Sequence, residues 1–349
     1  MPNAVLVTGV SRFLGGHLAA RLAANPAVER VIGVDACAPG PDLLRRMGRT
    51  EFVRADIRSP LIAKLIDSAG VDTVVHAGVD THSGWSGPTE AKEANVLGTM
   101  QLLAACQQAP AVRKFVLKST TAVYGASPRD PAVFTEDGEP RDLPSSGMAK
   151  DAVEIEAYVR GFGRRRPEVQ LTTLRFTHLV GPRIDTMFTR CFALPIVPTV
   201  LGHDPRLQLL HSEDALAVLE RSAVEDLPGV YNVAGDGVLM LTQALRRAGR
   251  VPMPVPMLAV PPVAGAFSSA KLADLTPEQL RFLNVGRVVD TTRLREQFGF
   301  EPRWTSRQAF DDFVRGHDVR PVVDPELVTV AERRLGGLVK HLPRTGGRA

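Results

Sequence analysis

The sequence predicts an α/β chain built on a doubly wound parallel sheet with a smaller C-terminal lobe, and three observations lead there. Short apolar, β-branched runs alternate with helical segments through the first half of the chain. A glycine-containing turn, from Gly9 to Gly15, joins the first run to the first helix. An aspartate, Asp35, closes the second run about twenty residues beyond that turn.

Residues 5–8, 31–35, 51–54, 73–76, 114–118 and 171–176 read as strands. Short continuous apolar runs suit strands covered by helices on both faces. Between them, 14–24, 59–68, 89–108 and 148–161 read as helices. Ser59 is placed to cap the second helix, with Pro60 in the first turn, where its missing N–H does no harm. Alternation repeated this often implies right-handed crossovers and a Rossmann-like sheet. Beyond 177 the pattern turns irregular, with prolines at 182, 195, 198 and 205. Residues 207–210 and 230–233 read as strands there, 212–224 as a helix, and helices are expected near 276–284 and 306–315. The stretch 251–267 is strongly apolar but holds five prolines, so it reads as a loop or lobe connection. An appended helix and a loose basic tail are expected from Asp318 onward.

Composition narrows the function classes. Over 349 residues, 44% apolar and 23% charged is ordinary globular usage, and a net charge of +4 is mild. No block of like charges points to nucleic acid; the densest basic spot, Arg164 to Arg166, reads as a solvated helix end. No apolar run reaches the ~20 residues that span a bilayer, and no basic, then apolar, leader precedes the first strand. Three widely spaced cysteines, Cys37, Cys106 and Cys191, suit a reducing cytosol and form neither a disulfide framework nor a metal-ligand set. His76 and His82 are six apart around a strand end, not one helical turn apart, so no metal is expected. His203 reads as a loop residue, and His211 as a brace for the lobe.

A turn of this kind lets backbone N–H groups at a helix N-terminus face a pyrophosphate. Asp35 is then placed to accept hydrogen bonds from the hydroxyls of an adenosine ribose, and its charge repels a 2′-phosphate. NAD is therefore expected over NADP. The cofactor domain is expected to cover 1–176, with later strands and helices free to join it. A substrate lobe over most of 177–317 and an extension over 318–349 follow.

Thr8-Gly9-Val10-Ser11-Arg12-Phe13-Leu14-Gly15 also resembles the T-G-x-x-G-x-x-G fingerprint of the extended short-chain dehydrogenases, the NAD-dependent epimerase/dehydratase family, and is similar to its UDP-glucose 4-epimerase-like members. Further landmarks follow in the family's order over nearly the whole chain. Asp56-Ile57 resembles the adenine-flanking pair. Val75-His76-Ala77-Gly78, with Val79 after it, resembles the strand-four wall, and Asn95-Val96-Leu97-Gly98-Thr99 the helix motif that props the sheet. Leu174-Arg175 through Gly181-Pro182-Arg183, then His211 to Ala215, Tyr231 to Gly235 and Asp290-Thr291-Thr292, complete the series. The resemblance implies a cofactor set of Gly9, Arg12, Phe13, Leu14, Gly15, Asp35, Asp56, Ile57, Ala77, Gly78, Val79, Asn95 and Lys150. Arg12 departs from it, standing where the fingerprint has its second glycine. An arginine there either clamps a phosphate bidentately or fills the groove and weakens binding.

For catalysis the resemblance implies a hydroxyl at Thr120, in Ser119-Thr120-Thr121-Ala122-Val123-Tyr124-Gly125, and a lysine at Lys150. Counting back four residues from Lys150 gives Ser146, where the family has its tyrosine. A phenol titrates near ~10 and is pulled toward neutrality by an adjacent ammonium; an aliphatic hydroxyl is far weaker as an acid, and shorter. A Lys150 buried beside that slot with no ligand is costly. Tyr124 is structural in the family, and Glu136 and Asp137 read as loop carboxylates. Thr121 and Ala122 replace the acidic pair of the 4,6-dehydratases. His178 stands at the 4-epimerase asparagine position, and Arg206 and Arg281 fall near the arginines that hold a uridine phosphate.

Two functional readings stay open. One is an NAD-binding enzyme acting on a nucleotide-sugar or related alcohol or carbonyl substrate; the other is a catalytically silent, NAD-responsive binding protein. A cofactor-free scaffold is a third. The resemblance also implies a homodimer through helices 89–108 and 148–161, with Ala91, Ala94, Leu97, Gln101, Ala104 and Ala105 as its small-residue face; the same face packed only on its own sheet is the alternative.

Overall fold

The computed structural model describes residues 2–79, 92–125, 127, 129–142, 144, 147–256, 259, 262 and 286–322. Every side chain of β1 (Ala4–Thr8) is buried, which suits a strand in the middle of a sheet. It lies between β2 (Arg30–Asp35) and β4 (Thr73–His76), both parallel to it. β3 (Glu51–Arg54) extends the β2 side, and β5 (Lys114–Thr120) and β6 (Gln170–Phe176) extend the β4 side. A late strand, Gly229–Val233, returns to pair with β6. The seven-stranded order places this late strand first, then β6-β5-β4-β1-β2-β3. The order reverses between β1 and β4, and in sheets of this kind ligands bind outside the carboxyl ends of the strands at such a switch point.

Helices cover both faces, as the unbroken apolar strands require. α1 (Phe13–Ala24) buries Leu14, Leu18 and Leu22, spaced to form one stripe, against the face that also receives the helix Ser212–Val224. A short α2 (Pro41–Arg46) lies against α1, with Leu43 over Gly16. The opposite face takes α3 (Leu61–Ser68), α4 (Gly98–Gln108) and α5 (Gly147–Arg165). Arg166 fastens α4 to α5, its guanidinium donating to the carbonyls of Cys106, Gln107 and Val112. It therefore neutralises a helix end rather than solvating freely.

Several expectations need correction. The helix expected at 59–68 begins at Leu61, with Pro60 at the cap and the Ser59 hydroxyl oxygen accepting the Leu61 N–H at 3.3 Å. Of the helix expected at 89–108, Thr89 to Ala91 lie outside the described residues, and Glu93–Leu97 forms a π-helical turn before α4 begins. The strand expected at 207–210 is two short strands, Arg206–Leu207 and Leu209–His211, in separate ladders. Gln208 between them leaves the ladder, and its side chain accepts the Val289 N–H at 2.8 Å.

The proline-rich stretch begins with a strand, Val251–Val255, paired in parallel with Ile196–Val200. Val251 donates to Pro195 and Val255 accepts from Leu201, so the odd-numbered residues face the partner strand. Pro252 and Pro254 fall on the free edge, where a missing N–H leaves nothing unpaired. The helix expected at 276–284 and most of the tail lie outside the described residues. The later segments also build a second core, in which Phe188, Phe192, Phe310 and Phe313 pack beside Leu207 and Leu209. Among the described residues, no helix is long and apolar enough to cross a membrane.

Candidate cofactor and active site

The turn after β1 sits at the switch point. Gly9 adopts φ +75°, a left-handed conformation open to glycine, and a Cβ there would lie 2.9 Å from the Gly78 nitrogen. A Cβ on Gly15 would lie 2.6 Å from the Gly9 carbonyl carbon and 3.0 Å from the Thr8 oxygen. The two glycines thus let α1 start directly against the ends of β1 and β4, and the first-turn N–H groups of a helix have no intrahelical acceptor. Arg12 forms the N-cap with φ −100° and ψ 163°, extended backbone that any residue adopts, and its side chain is exposed. The second fingerprint glycine is thus not required here by backbone conformation. Leu14 is buried beneath the turn, and the Phe13 ring stacks on His17 with the Arg183 guanidinium 5.7 Å from its centroid.

Asp35 ends β2 with its carboxylate held toward this turn. Oδ2 accepts the Ser11 N–H at 3.0 Å and the Ser11 hydroxyl at 2.6 Å, and Oδ1 accepts the Cys37 N–H at 3.2 Å. Asp56 follows β3; Arg58 binds its carboxylate and holds it below the usual range. Ile57 packs where a Cβ on Gly98 would stand, 2.7 Å from its Cδ1.

Beneath Gly78 runs a chain of buried hydrogen bonds with one direction. The Thr99 hydroxyl donates to the Asn95 carbonyl at 2.5 Å, so its oxygen accepts from His76 Nε2 at 2.9 Å. Nδ1 of the neutral ring then accepts the Thr8 hydroxyl at 2.8 Å, and Thr8 in turn accepts the Gly78 N–H at 3.2 Å. Burial, reinforced by the charge of Lys118, pushes the His76 pKa down to about 3. Asn95, on the π-helical turn, and the wall residues Ala77, Gly78 and Val79 are joined through this chain or flank it.

The ends of β5 and β6 supply the other candidates. Thr120 closes β5 half-buried, its hydroxyl oxygen accepting the Ala122 N–H at 3.2 Å to cap the turn Thr121–Tyr124. Lys150, in the first turn of α5, is not buried: its side chain is 42% exposed and lies 3.9 Å from Glu154, one turn on. That corrects the expectation of a desolvated lysine. Ser146 and Arg281 lie outside the described residues. All three tyrosines are described, and each is placed elsewhere. Tyr124 is buried, donating to Asn232 at 2.8 Å and accepting from Arg175 at 2.8 Å, and burial raises its pKa. Tyr231 donates to the Pro228 carbonyl. Tyr158 sits on α5 eight residues beyond Lys150, about 12 Å along the axis.

Arg175 joins these parts. It binds Glu156 through two nitrogens, at 3.0 and 2.7 Å, and donates to the Glu136 carbonyl at 2.9 Å. Glu136 also accepts the Asn232 N–H, and Arg293 pairs with Asp137. Both loop carboxylates are thus engaged with structural partners. His178, just past β6, stacks on Phe188 with centroids 4.7 Å apart; burial first and Arg287 second push its pKa to about 4. Arg206 is exposed and donates to the Ala132 carbonyl at 3.0 Å. His211 donates through Nε2 to Asp312 at 3.1 Å and stacks on Trp304.

Sequence reasoning missed Lys118. Its ammonium is buried in β5 and donates to the Val79 carbonyl at 3.2 Å. The signal was available: a lysine inside a strand otherwise read as buried on both faces.

Comparison with known proteins adds three findings. The family model of the NAD dependent epimerase/dehydratase family matches residues 5–234. An uncharacterized protein of Mycobacterium bovis is 53% identical over 341 residues, covering 97% of this chain and 91% of its own. Two solved structures share the fold. UDP-glucuronic acid 4-epimerase from Bacillus cereus, in complex with NAD, has a TM-score of 0.67 at 21% identity, over 90% of this chain and 98% of that one. UDP-glucose 4-epimerase from Thermotoga maritima, with UDP-glucose, has a TM-score of 0.69 at 19% identity, over 90% and 98%.

Proposed function

The chain belongs to the NAD dependent epimerase/dehydratase family, and from that premise we propose that it binds NAD and acts on an alcohol or carbonyl carbon of a nucleotide-sugar. The observation that carries this reading is the glycine contact of the turn, Gly9 against Gly78, beside an Asp35 carboxylate already aimed by Ser11. A side chain at Gly9 would strike the Gly78 backbone and push the turn off the β4 wall, away from where α1's first N–H groups face a pyrophosphate, and Arg12, exposed at the rim, is read as its clamp. Bound NAD supplies an acceptor for hydride from a sugar carbon.

Around it, Asp35 holds the adenosine ribose, Asp56 and Ile57 border the adenine, and Ala77 to Val79 form the wall. Lys150, once drawn from Glu154, orients ribose hydroxyls, and Thr120 holds a substrate hydroxyl. His178, Arg206 and Arg281 are assigned to the nucleotide-sugar from the family resemblance. Ser146 stands at the tyrosine position and makes a poor proton carrier, so turnover is slow. We place the cofactor domain at 1–176 together with the late strand beside β6, the substrate lobe mostly at 177–317, and the protein in a reducing cytosol.

A thermal titration of the purified chain with NAD, and NADP in parallel, tests the reading. Saturation at 100 times the dissociation constant stabilises by about 2.7 kcal/mol. The absence of any shift with either dinucleotide sinks it. Reduction of bound NAD by a member of a UDP-sugar panel then establishes the enzyme.

A second reading, a silent NAD-responsive binding protein, is favoured by Lys150 pairing with Glu154 while the hydroxyls of Tyr124 and Tyr231 donate to Asn232 and to the Pro228 carbonyl. NAD binding without reduction by any panel member selects it.

For quaternary structure, the exposed apolar residues on the π-helical turn Glu93–Leu97, α4 and α5 support a homodimer. Leu97 is 44%, Met100 37% and Tyr158 40% exposed, beside exposed Ala94, Gln101 and Ala104; Ala105, expected on this face, is buried. A monomeric mass by light scattering overturns the dimer.

A further inference from the structure

Lys118 and Thr120 are two residues apart on β5, so their side chains leave the strand on the same side. An ammonium 9% exposed in a core strand is expensive to desolvate, and the same face holds Val116 two residues earlier without that expense. The Lys118 ammonium bridges from β5 to the segment just past β4, bonded to the carbonyl of Val79 and close enough to His76 to depress its basicity.

Sheet order decides what this charge faces. The turn at Gly9 holds the middle of the dinucleotide at the end of β1, and Asp35 on β2 marks the adenosine side. The nicotinamide half therefore extends the opposite way, over the ends of β4 and β5, toward Thr120 and Lys118. The oxidised nicotinamide ring is a cation and the reduced ring is neutral; the two differ by one hydride. A fixed cation in a low-dielectric site disfavours the first and not the second.

We propose that Lys118 is an electrostatic positioning residue of the cofactor site, whose buried ammonium favours the reduced nicotinamide over the oxidised one. It rests on the NAD-binding reading above. In a reaction that begins with an alcohol, this bias draws hydride from the sugar carbon to the cofactor as the C–H bond breaks and the C=O bond forms, and the hydroxyl proton is released to water. The bias helps an enzyme whose proton carrier is weak, because it favours the oxidation half of the cycle.

The test measures dissociation constants for NAD⁺ and NADH separately, with the full chain, by NADH fluorescence and by competition. Wild type is expected to bind NADH more tightly. In Lys118→Met the ratio of the two constants falls roughly tenfold, the order expected for two unit charges about 12 Å apart in a protein site of effective dielectric ~20. Lys118→Arg, which keeps the charge, holds the ratio within about twofold. A purely structural lysine would alter both constants together and leave the ratio unchanged, which overturns the proposal. Should Lys118→Met not fold, the same ratio in Lys118→Gln decides. Wild type that binds neither form overturns the NAD reading itself, an outcome distinct from an unchanged ratio.

Discussion

Ser11 holds one oxygen of Asp35 twice, through its N–H at 3.0 Å and its hydroxyl at 2.6 Å. The carboxylate is therefore fixed in direction by the turn itself, and on the proposed NAD reading its charge meets the 2′ position of the adenosine ribose. Asp35→Ser removes the repulsion of a 2′-phosphate along with the acceptor for the ribose hydroxyl. The ratio of NADP to NAD affinity is expected to rise at least about tenfold, or roughly 1.4 kcal/mol. Thermal shifts with both cofactors read it. An unchanged preference would mean that Asp35 is only a turn residue.

Gly9→Ala places a methyl against the Gly78 backbone, at a φ of +75° that alanine tolerates poorly. The chain is expected to lose about 1–3 kcal/mol of stability and, by pushing β1's turn away from the β4 wall, its dinucleotide binding. Arg12→Gly is the contrasting variant. Its backbone is already extended, so glycine relieves no strain there, and a loss of NAD affinity beyond any loss of stability reports the side chain. Denaturant midpoints and NAD titrations on both variants separate strain from phosphate clamping.

Much of the central sheet was legible because parallel strands covered on both faces must be apolar throughout, as at Val5, Leu6 and Val7. The glycine turn and Asp35 were legible for a related reason, since their chemistry follows from a fixed spacing. α2 was not, because none of its residues is buried and it leaves no apolar stripe. The Val251–Val255 strand was hidden by Pro252 and Pro254, which break a central strand but not one whose alternate N–H groups face outward. The exposure of Lys150 was beyond sequence reasoning, since it depends on where α5 turns relative to β5, and its pairing with Glu154 competes with the expected role. Spacing placed Thr120 at a strand end but gave no hint that its hydroxyl oxygen accepts the Ala122 N–H.

The neutral His76 chain predicts a pH dependence. Its pKa is near 3 when folded and about 6.5 when unfolded. Below 6.5 the unfolded chain takes up a proton that the folded imidazole refuses, so the contribution to stability is full above pH 6.5 and is lost as pH falls toward 3. Between pH 7 and 5 this one group accounts for roughly 2 kcal/mol. Urea unfolding of wild type at the two pH values, against His76→Gln, reads it. The variant is expected to be less stable at pH 7 and to show a shallower acid slope. Equal slopes would show that His76 is protonated within the fold.

Ser146→Tyr asks whether the substrate site outlasted the change at the proton carrier. Position 146 lies four residues before Lys150, the spacing at which the family has its tyrosine, and an adjacent ammonium lowers the pKa of a phenol. The hydroxyls of Tyr124 and Tyr231 already donate to Asn232 and to the Pro228 carbonyl, and Tyr158 lies about two turns further along α5. The variant is expected to raise the rate of NAD reduction by a UDP-sugar by about 10²–10⁴-fold, the usual worth of a positioned acid–base group. Because Lys150 must first leave Glu154, Glu154→Gln combined with Ser146→Tyr is expected to exceed the single variant. A chain that binds NAD, accepts the tyrosine without unfolding and still reduces none of it has no substrate pocket aligned with Thr120. In that outcome the altered residues belong to a nucleotide-responsive binding protein, and Lys118 tunes which redox form it senses.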